Sequence, residues 1–369
     1  MRIKYIISFI AFWLTFCISA IANADEAKPE TQGREKFNAG TMIVEHIVDN
    51  HEWHIATLGE TPIAIPLPVI LWDNGKLVCF LSSKFDHHTK IYNGYKLETE
   101  GEHKGKIVKL AADGVSVDKE AALPLDLSIT KNVVSIFFTV AMLCLIFISV
   151  ARRFKRNPDS APKGLQSMME PLILFVRDDI VRPSIGEKRY KKYMPFLLTL
   201  FFFILFNNLL GLIPLIPGGA NVTGNIAVTL VLALFTFFIT SFSANKQYWA
   251  HIVNAPGVPW WLKFPIPLMP IVEIIGVITK PFVLMVRLFA NIMAGHIIVL
   301  GFMSLIFIFG SMSLVAGYGV SVVSIAFAIF MGLLELLVAF IQAYVFTLLS
   351  ALYIGMATED HHQHEEIIH

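Results

Sequence analysis

The stretch "FVLMVRLFANIMAGH", residues 282–296, places Arg287 inside one of the two longest apolar runs of the chain. This run covers 43 residues, Pro267 to Phe309, and the other covers 38 residues, Val320 to Ala357. At about 1.5 Å per residue either run would form a helix roughly 60 Å long, whereas the hydrocarbon core of a bilayer is about 30 Å thick. We therefore expect two steeply tilted helices that form a hairpin. Glycines mark its outside turn: Gly310, Gly317 and Gly319.

The composition is that of an integral membrane protein. Of the 369 residues 55% are hydrophobic and 15% are charged, whereas soluble domains contain about 25% charged residues. The formal net charge is +1 at pH 7 and no basic stripe is present, so the sequence gives no reason to expect a nucleic-acid partner.

The N-terminus combines a positive start, an apolar core and small residues before position 25. This pattern is typical of a secretory signal peptide, residues 1–24, with an uncleaved first membrane helix as the alternative. The polar region that follows, residues 25–128, is expected to be a small exported domain. Its runs "GKLVCFL" and "HKGKIVKL" predict strands, since they lie between turn signals.

The cysteines and histidines of this exported region predict neither a disulfide nor a metal site. Cys79 is the one cysteine expected on the exported side, so the domain must fold without an intrachain disulfide. The spacing of its histidines fits no standard pattern of metal ligands, and we expect no cofactor. These histidines are His46, His51, His54, His87 and His88.

Three shorter apolar segments, residues 129–150, 195–215 and 226–241, are interpreted as spans. The first ends in "ARRFKR", and basic residues flank spans on the cytoplasmic side. The expected fold is an all-α polytopic protein of a bacterial inner membrane, with five spans in residues 129–357. The N-terminal domain is then periplasmic, and the tail, residues 358–369, is cytoplasmic.

A polar segment between the first two spans, "GLQSMMEPLILFVRDDIVRPSIG", carries too many charges to cross a bilayer. Its apolar residues come in clusters, with charged residues between them. We expect this segment to be an interfacial helix on the cytoplasmic surface.

Arg287 is the candidate functional residue of the first long run. A charged residue at the bilayer centre costs about 2.5–3.5 kcal/mol on insertion scales. Because arginine stays protonated, it suits a fixed positive charge better than a proton relay; a snorkelling or structurally paired arginine is the alternative. Helical periodicity places Asn291 one turn away on the same face, and Glu273 near that face but about 21 Å deeper.

Folding the hairpin predicts which residues of the two runs lie at the same depth. In antiparallel helices such residues have a constant sum of residue numbers, and a turn near residues 314–315 gives a sum of about 629. Arg287 then lies level with Gln342, and His296 lies close to the level of Glu335.

These levels suggest two polar sites separated by a permanent cation. A histidine beside a carboxylate is suited to carrying protons, because its pKa lies near physiological pH. His296 and Glu335 would form an outer pocket, and Glu273 would belong to an inner site. Protons could enter each half, but Arg287 would keep them from running straight through.

At these residues the sequence resembles subunit a of the F-type ATP synthase. "RLFANIMAGH" resembles the arginine signature of that family, and "FIQAYVFTLLSALYIGMA" resembles its glutamine-bearing last helix. "FVRDDIVRPSIG" resembles its surface helix, and "NNLLGLIP" the end of its second span. The resemblance covers residues 129–357.

The resemblance implies a stator subunit with two offset half-channels, which couples proton flow to ring rotation and ATP synthesis. Its partners would be a ring of small c subunits that carry a membrane carboxylate, peripheral stalk b subunits and other ATP synthase subunits. This chain has no phosphate-binding loop, so it holds no site for making ATP itself.

Individual residues carry the resemblance into the proposed site. Arg287, Gln342 and Asn291 match the essential arginine, its glutamine partner and the asparagine one turn on. Glu273 matches a polar position of the inner half-channel. Many bacterial members have glutamate where this chain has His296 and histidine where it has Glu335, so the pair is swapped.

Three other interpretations of the sequence remain open. A secondary cation transporter would predict internal repeats and discontinuous helices, and no repeat is seen. A respiratory-complex membrane subunit would be expected to carry charges in several spans rather than in one hairpin. The third is an assembly protein whose exported domain binds a partner.

Overall fold

The computed structural model describes most of the chain after the first 38 residues: residues 39–40, 43, 47–58, 61–85, 91–98, 105–111, 123–156, 161–213, 218–253 and 268–359. The expected signal peptide lies outside the described residues. So do nearly all of the expected C-terminal tail and three of the histidines considered above: His46, His87 and His88.

Helices make up most of the described chain. In order they are α1 (Lys131–Arg156), α2 (Leu165–Phe175), α3 (Arg182–Ile185), α4 (Tyr190–Leu212), α5 (Ile226–Ser243), α6 (Lys246–Val253), α7 (Leu268–Met312) and α8 (Leu314–Thr358). Within the described residues five of these, α1, α4, α5, α7 and α8, are long and apolar enough to cross a membrane. The prediction of five spanning helices is therefore confirmed for length and composition.

Helices α7 and α8 each contain 45 residues and form an antiparallel pair. The ring of Phe302 stacks on that of Phe327 with their centroids 4.9 Å apart. Ser313 alone separates the two helices, and its side chain caps α8. The glycines expected in the turn lie inside the helices instead. A Cβ added at Gly317 would lie 2.8 Å from the Cα of Gly310, so these two glycines let the helices approach closely beside the turn. The tilt of the pair in a bilayer stays a prediction.

The core of the membrane domain forms around α4. Its side chains Leu197, Phe201, Phe202 and Ile204 are all fully buried. Helix α8 packs here with small residues, including Ala343 and Ala351, which allow close approach. A hydroxyl pair, Thr236 of α5 and Ser350 of α8, lies 3.2 Å apart and is hydrogen-bonded.

The segment expected to be an interfacial helix is helical throughout, but it is not uniform. A π-helical turn, Val176–Val181, joins α2 to α3. On this turn Val176 and Ile180 are fully buried. Arg182 donates to Asp178 at 2.9 Å and lies over the Tyr190 ring. Apolar residues of the π-helical turn thus face the core, while Arg177 and Arg182 both pair with Asp178. The location of the segment on the cytoplasmic surface stays a prediction.

The N-terminal region contains strands, as the sequence predicts. They are β1 (Glu52–Leu58), β2 (Thr61–Pro66), β3 (Pro68–Asp73), β4 (Lys76–Leu81), β5 (Tyr95–Leu97), β6 (Ile107–Lys109) and β7 (Leu125–Asp126). Strands β4, β3 and β7 form an antiparallel sheet, and β1–β2 and β5–β6 form two hairpins. Positive φ angles at Asn74 and Gly75, 48° and 80°, suit the tight turn between β3 and β4.

Hydrogen bonds hold this small domain on the start of α1. The Asp49 carboxylate accepts from the Thr130 hydroxyl at 2.8 Å and from the Asn132 backbone N–H at 3.1 Å. His51 lies 2.8 Å from the Asp126 carboxylate. Burial tends to raise the pKa of Asp126, but hydrogen bonds from His51 and Ser128 outweigh this effect and lower it. The domain is therefore fixed to α1 and does not hang on a free linker.

The closest approach between α8 and α3 gives a test of the packing. A Cβ added at Gly355 would lie 1.9 Å from the carbonyl oxygen of Ser184, so Gly355→Ala must push α8 away from α3. We expect a loss of about 1–3 kcal/mol in the free energy of unfolding. The measurement is the thermal midpoint of the purified chain in detergent.

The matched control is Gly332→Ala in the same helix, where no atom lies within 4 Å of the added Cβ. This variant should be as stable as the parent or more so, since alanine favours a helix over glycine by up to about 1 kcal/mol. Equal midpoints for the two variants would contradict the close contact at Gly355.

A partly buried ion pair in the N-terminal domain predicts a pH dependence. Asp73 accepts from Lys109 at 2.7 Å and from the Tyr95 hydroxyl at 2.9 Å. The hydrogen bond from Lys109 lowers the pKa of Asp73, although burial opposes it. Because the folded pKa lies below the unfolded one, the stabilisation is present above the unfolded pKa and is lost as pH falls through the folded pKa.

Asp73→Asn should therefore weaken the domain at neutral pH and flatten its loss of stability in acid. Amide hydrogen exchange of β5 and β6 in the intact chain measures both effects. Lys76→Gln, an exposed change on the same hairpin, serves as the control. An unaltered acid profile for Asp73→Asn would contradict the assignment.

Candidate functional site

The polar residues of α7 and α8 differ in burial, and the difference divides them into two groups. Glu335 and Gln342 of α8 are 7% and 5% exposed. His296 of α7 is half-buried. By contrast, Arg287 and Asn291 of α7 are exposed. The two long helices thus turn some polar groups inward and leave others on the surface of the chain.

His296 and Glu335 are in direct contact. The Nδ1 atom of His296 is hydrogen-bonded to the Oε1 atom of Glu335. Their predicted closeness in depth is therefore confirmed. A Cβ at Gly295 would lie 3.0 Å from the same carboxylate oxygen, so the glycine leaves room for Glu335 beside the histidine.

The pair faces a small cavity, with several polar side chains among its lining residues, between α4, α7, α8 and the loop before α5. Residues of all four elements line it: Asn207, Asn208, Gly211, Leu212, Asn221, Thr223, Ile292, His296, Glu335 and Ala339. The space is about that of one water molecule. Several polar groups with donors and acceptors thus surround the histidine–carboxylate pair.

Four polar cavity residues were not singled out from the sequence: Asn207, Asn208, Asn221 and Thr223. The Asn208 Oδ1 atom accepts from the Thr223 hydroxyl at 2.6 Å, and its amide donates to the Ala339 carbonyl at 3.3 Å. Asn221 is 3% exposed, and its Nδ2 atom has no hydrogen-bond partner among the described residues. Two adjacent asparagines inside an apolar helix were the available signal, since such groups need partners in a membrane.

Arg287 has no hydrogen bond or ion pair with any described residue. Its charge interacts electrostatically with the side chain of Tyr353, one of the half-buried residues of α8. Gln342 lies inside the helix packing while Arg287 lies outside it, and no hydrogen bond joins them in the described part of the chain. The prediction that Arg287 and Gln342 are partners at the same depth therefore stays a prediction.

A second polar group lies near the start of α7. Glu273 is half-buried, and its charge reaches Tyr248 of α6. Burial raises the pKa of Tyr248, and the nearby Glu273 charge adds to this effect. The Lys280 ammonium lies 5.5 Å from the centroid of the Tyr353 ring. The sequence indicated Glu273 but gave no sign of the two tyrosines.

Together these features define a polytopic membrane protein with a buried histidine–carboxylate pair and an outward-facing arginine on the same hairpin. The family model described as ATP synthase A chain matches residues 133–355. The chain belongs to this family, as the resemblance of its motifs predicts. Membership supports its assignment to ATP synthesis and proton transport in a membrane, together with other ATP synthase subunits.

Curated relatives extend the match. The chain is 46% identical over 244 residues to ATP synthase subunit a of Chloroherpeton thalassium, covering 64% of this chain and 69% of the relative. It is 41% identical over 288 residues to ATP synthase subunit a of Chlorobium phaeobacteroides, strain DSM 266, covering 76% of each chain. It is 43% identical over 248 residues to that of Myxococcus xanthus, with 66% and 77% covered.

The N-terminal region matches a different family model. A domain of unknown function, DUF8433, matches residues 42–127. Its description assigns no activity, so the contribution of this region has to be argued from its own residues.

Proposed function

We propose that this chain is the stator subunit a of a rotary F-type ATP synthase in a bacterial inner membrane. In this proposal it carries protons through two offset half-channels to and from the carboxylates of a c-subunit ring. The observation that carries the proposal is the buried His296–Glu335 pair, which lies in a polar cavity on a hairpin whose outer surface exposes Arg287.

The outer half-channel begins at this pair. A half-buried imidazole against a carboxylate can accept a proton from water on one side and release it on the other, because histidine titrates near physiological pH. The cavity supplies amide and hydroxyl groups from Asn208, Asn221 and Thr223, which can hold a water molecule next to the pair. A proton that leaves the pair would neutralise a ring carboxylate.

Arg287 acts as the barrier and as the attracting charge. It is exposed on a spanning helix, where an unpaired cation costs about 2.5–3.5 kcal/mol at the bilayer centre. Since no described residue of this chain neutralises it, a carboxylate from a neighbouring subunit is the expected partner. The ionised ring carboxylate is then held at Arg287, while the protonated form is free to turn into lipid.

In this proposal the inner half-channel is formed by the polar residues near the start of α7. Glu273 and Lys280 lie toward one end of the helix, with Tyr248 and Tyr353 beside them. A ring carboxylate that arrives there after nearly a full rotation would lose its proton to this side. Rotation of the ring would then drive ATP synthesis in the soluble sector, with peripheral b subunits holding the stator.

The orientation completes the proposal. Basic residues in the last turn of α1 support a cytoplasmic location for that end, since such residues flank spans on the cytoplasmic side. The N-terminal domain and the turn at Ser313 then lie on the periplasmic side, and the C-terminus is cytoplasmic. His296 lies closer to that turn than Arg287 does, so the His296–Glu335 half-channel opens to the periplasm.

The direct contact between His296 and Glu335 explains why the histidine and the glutamate could exchange positions between the two helices. The same two groups would stand in the same cavity whichever helix carries the histidine. The swap relative to many bacterial members therefore leaves the chemistry of the pocket unchanged.

Arg287→Ala tests the central charge. ATP-driven proton pumping in inverted membrane vesicles should fall to background, because nothing then retains the ionised carboxylate or blocks the short circuit. Arg287→Lys should keep partial activity, since it retains the charge without the planar fork.

The matched control is Arg152→Ala at the exposed end of α1, which should pump normally. Assembly is checked by co-purification of the other subunits. Normal pumping by an assembled Arg287→Ala complex would reject the proposal.

The paired substitution His296→Glu with Glu335→His tests the shared pocket. We expect this double variant to retain more proton transport than either single substitution, because only the double variant keeps one histidine and one carboxylate together. The readout is the initial rate of pumping in the same vesicles. A double variant no better than the worse single variant would show that the two groups do not work as one site.

A further inference from the structure

One face of the β4–β3–β7 sheet is apolar and is not covered by the residues that the structure describes. Trp72 of β3 pairs directly with Leu77 of β4 and with Leu125 of β7. These three side chains are 47%, 57% and 60% exposed. Side chains two residues apart share a face, so the whole face is Pro68, Ile70, Trp72, Leu77, Cys79, Leu81, Leu125 and Leu127. None of these positions carries a charge.

The opposite face of the same sheet is the core of the domain. Val69 and Leu71 are completely buried there and pack in one cluster with Phe85. The sheet is thus apolar on both sides but covered on one. Contiguous exposed apolar patches of this kind mark interaction surfaces with proteins or membranes.

The position of the sheet next to the first spanning helix favours a membrane over a protein as its partner. Backbone bonds run without interruption from β7 to α1: Leu127 N–H donates to Ile70, Ile129 N–H to Pro68, and Lys131 N–H to Asn50. Helix α1 therefore begins within five residues of β7, and the bonds of Asp49 keep the domain from swinging away.

Exposed apolar residues follow the sheet face along the chain into α1. Leu123, Leu125 and Leu127 alternate along the strand that leads into the helix, and all three are exposed. The exposed rings of Phe137 and Phe138 follow within about two turns of the helix start. Most residues in the apolar part of this helix are not buried inside the chain, so most of its surface is available to lipid or to other subunits.

We propose that this sheet face lies on the bilayer, with Trp72 in the headgroup region. Tryptophan is enriched at membrane interfaces, and amphipathic surfaces bind there through their apolar side. The tether to α1 holds the face at high effective concentration next to lipid. The strands must then run parallel to the bilayer plane. Leu125 lies about 13 Å from Ile129 along the extended chain, whereas the interfacial layer on one side of a bilayer is about 6 Å thick. Strands that stood upright on the membrane would therefore hold Leu125 outside this layer.

Cys79, exposed on this face, provides the probe. A spin label is attached to Cys79 after Cys17→Ser and Cys144→Ser. The labelled chain is placed in the assembled synthase in vesicles of phosphatidylethanolamine and phosphatidylglycerol. We expect the label to be accessible to oxygen, which concentrates in lipid, and shielded from a water-soluble nickel chelate.

The matched control carries the label at Lys84→Cys in a Cys79→Ser chain. Lys84 is exposed, and its ammonium lies 5.9 Å from the ring of Tyr92, which packs on the covered side of the sheet. This label should be open to the nickel chelate. Adding Leu77→Asp to the Cys79-labelled chain should raise nickel access there several-fold, while the same change leaves the Lys84→Cys label unaltered.

Two results would overturn the proposal. Free access of nickel to the Cys79 label would place the face in water. Shielding from both nickel and oxygen would mean that protein covers it, either another subunit, a second copy or a further segment of this chain. The experiment does not depend on Arg287 or the His296–Glu335 pair, so its failure is separate from failure of the proposed proton pathway.

Discussion

The hydrogen bond between His296 and Glu335 fixes how the two long helices face each other. A buried carboxylate is costly unless a partner meets it. A slip of one residue along either helix would move that partner by about 1.5 Å and turn it by about 100°. The stacking of Phe302 on Phe327 and the space left by Gly295 fit the same register. The geometry of the candidate site therefore depends on this one pairing of helices.

This register also separates the titratable pair from the permanent charge. Glu335 turns toward α4 and the cavity, whereas Arg287 points away from the helix packing. The proposed proton-carrying pair suits the interior, because amide and hydroxyl groups line a cavity there that has room for about one water molecule. A fixed cation suits the outer surface because a carboxylate on a neighbouring subunit can reach it. The proposed activity is thus divided between this chain and its partners.

The N-terminal domain presents a second asymmetry, between the two faces of one sheet. Its core closes around Val69 and Leu71, while Trp72 and its neighbours stay uncovered. The bonds of Asp49 and His51 to the chain around the start of α1 make this domain an extension of the first span. Any force on the domain would therefore be transmitted to α1 directly.

The sequence by itself determined the features that depend on one dimension: the presence and approximate bounds of the five apolar helices, two of the N-terminal strands (β4 and β6) and the depth of His296 against Glu335. Helix rise and a turn position suffice for these, and the turn at Ser313 lay within two residues of the expected place. Only the tertiary structure decided that Arg287 faces outward and that Asn208, Asn221 and Thr223 join the pair. Asn208 meets Ala339 across 131 residues of sequence, and no local pattern records which faces of distant helices will pack together.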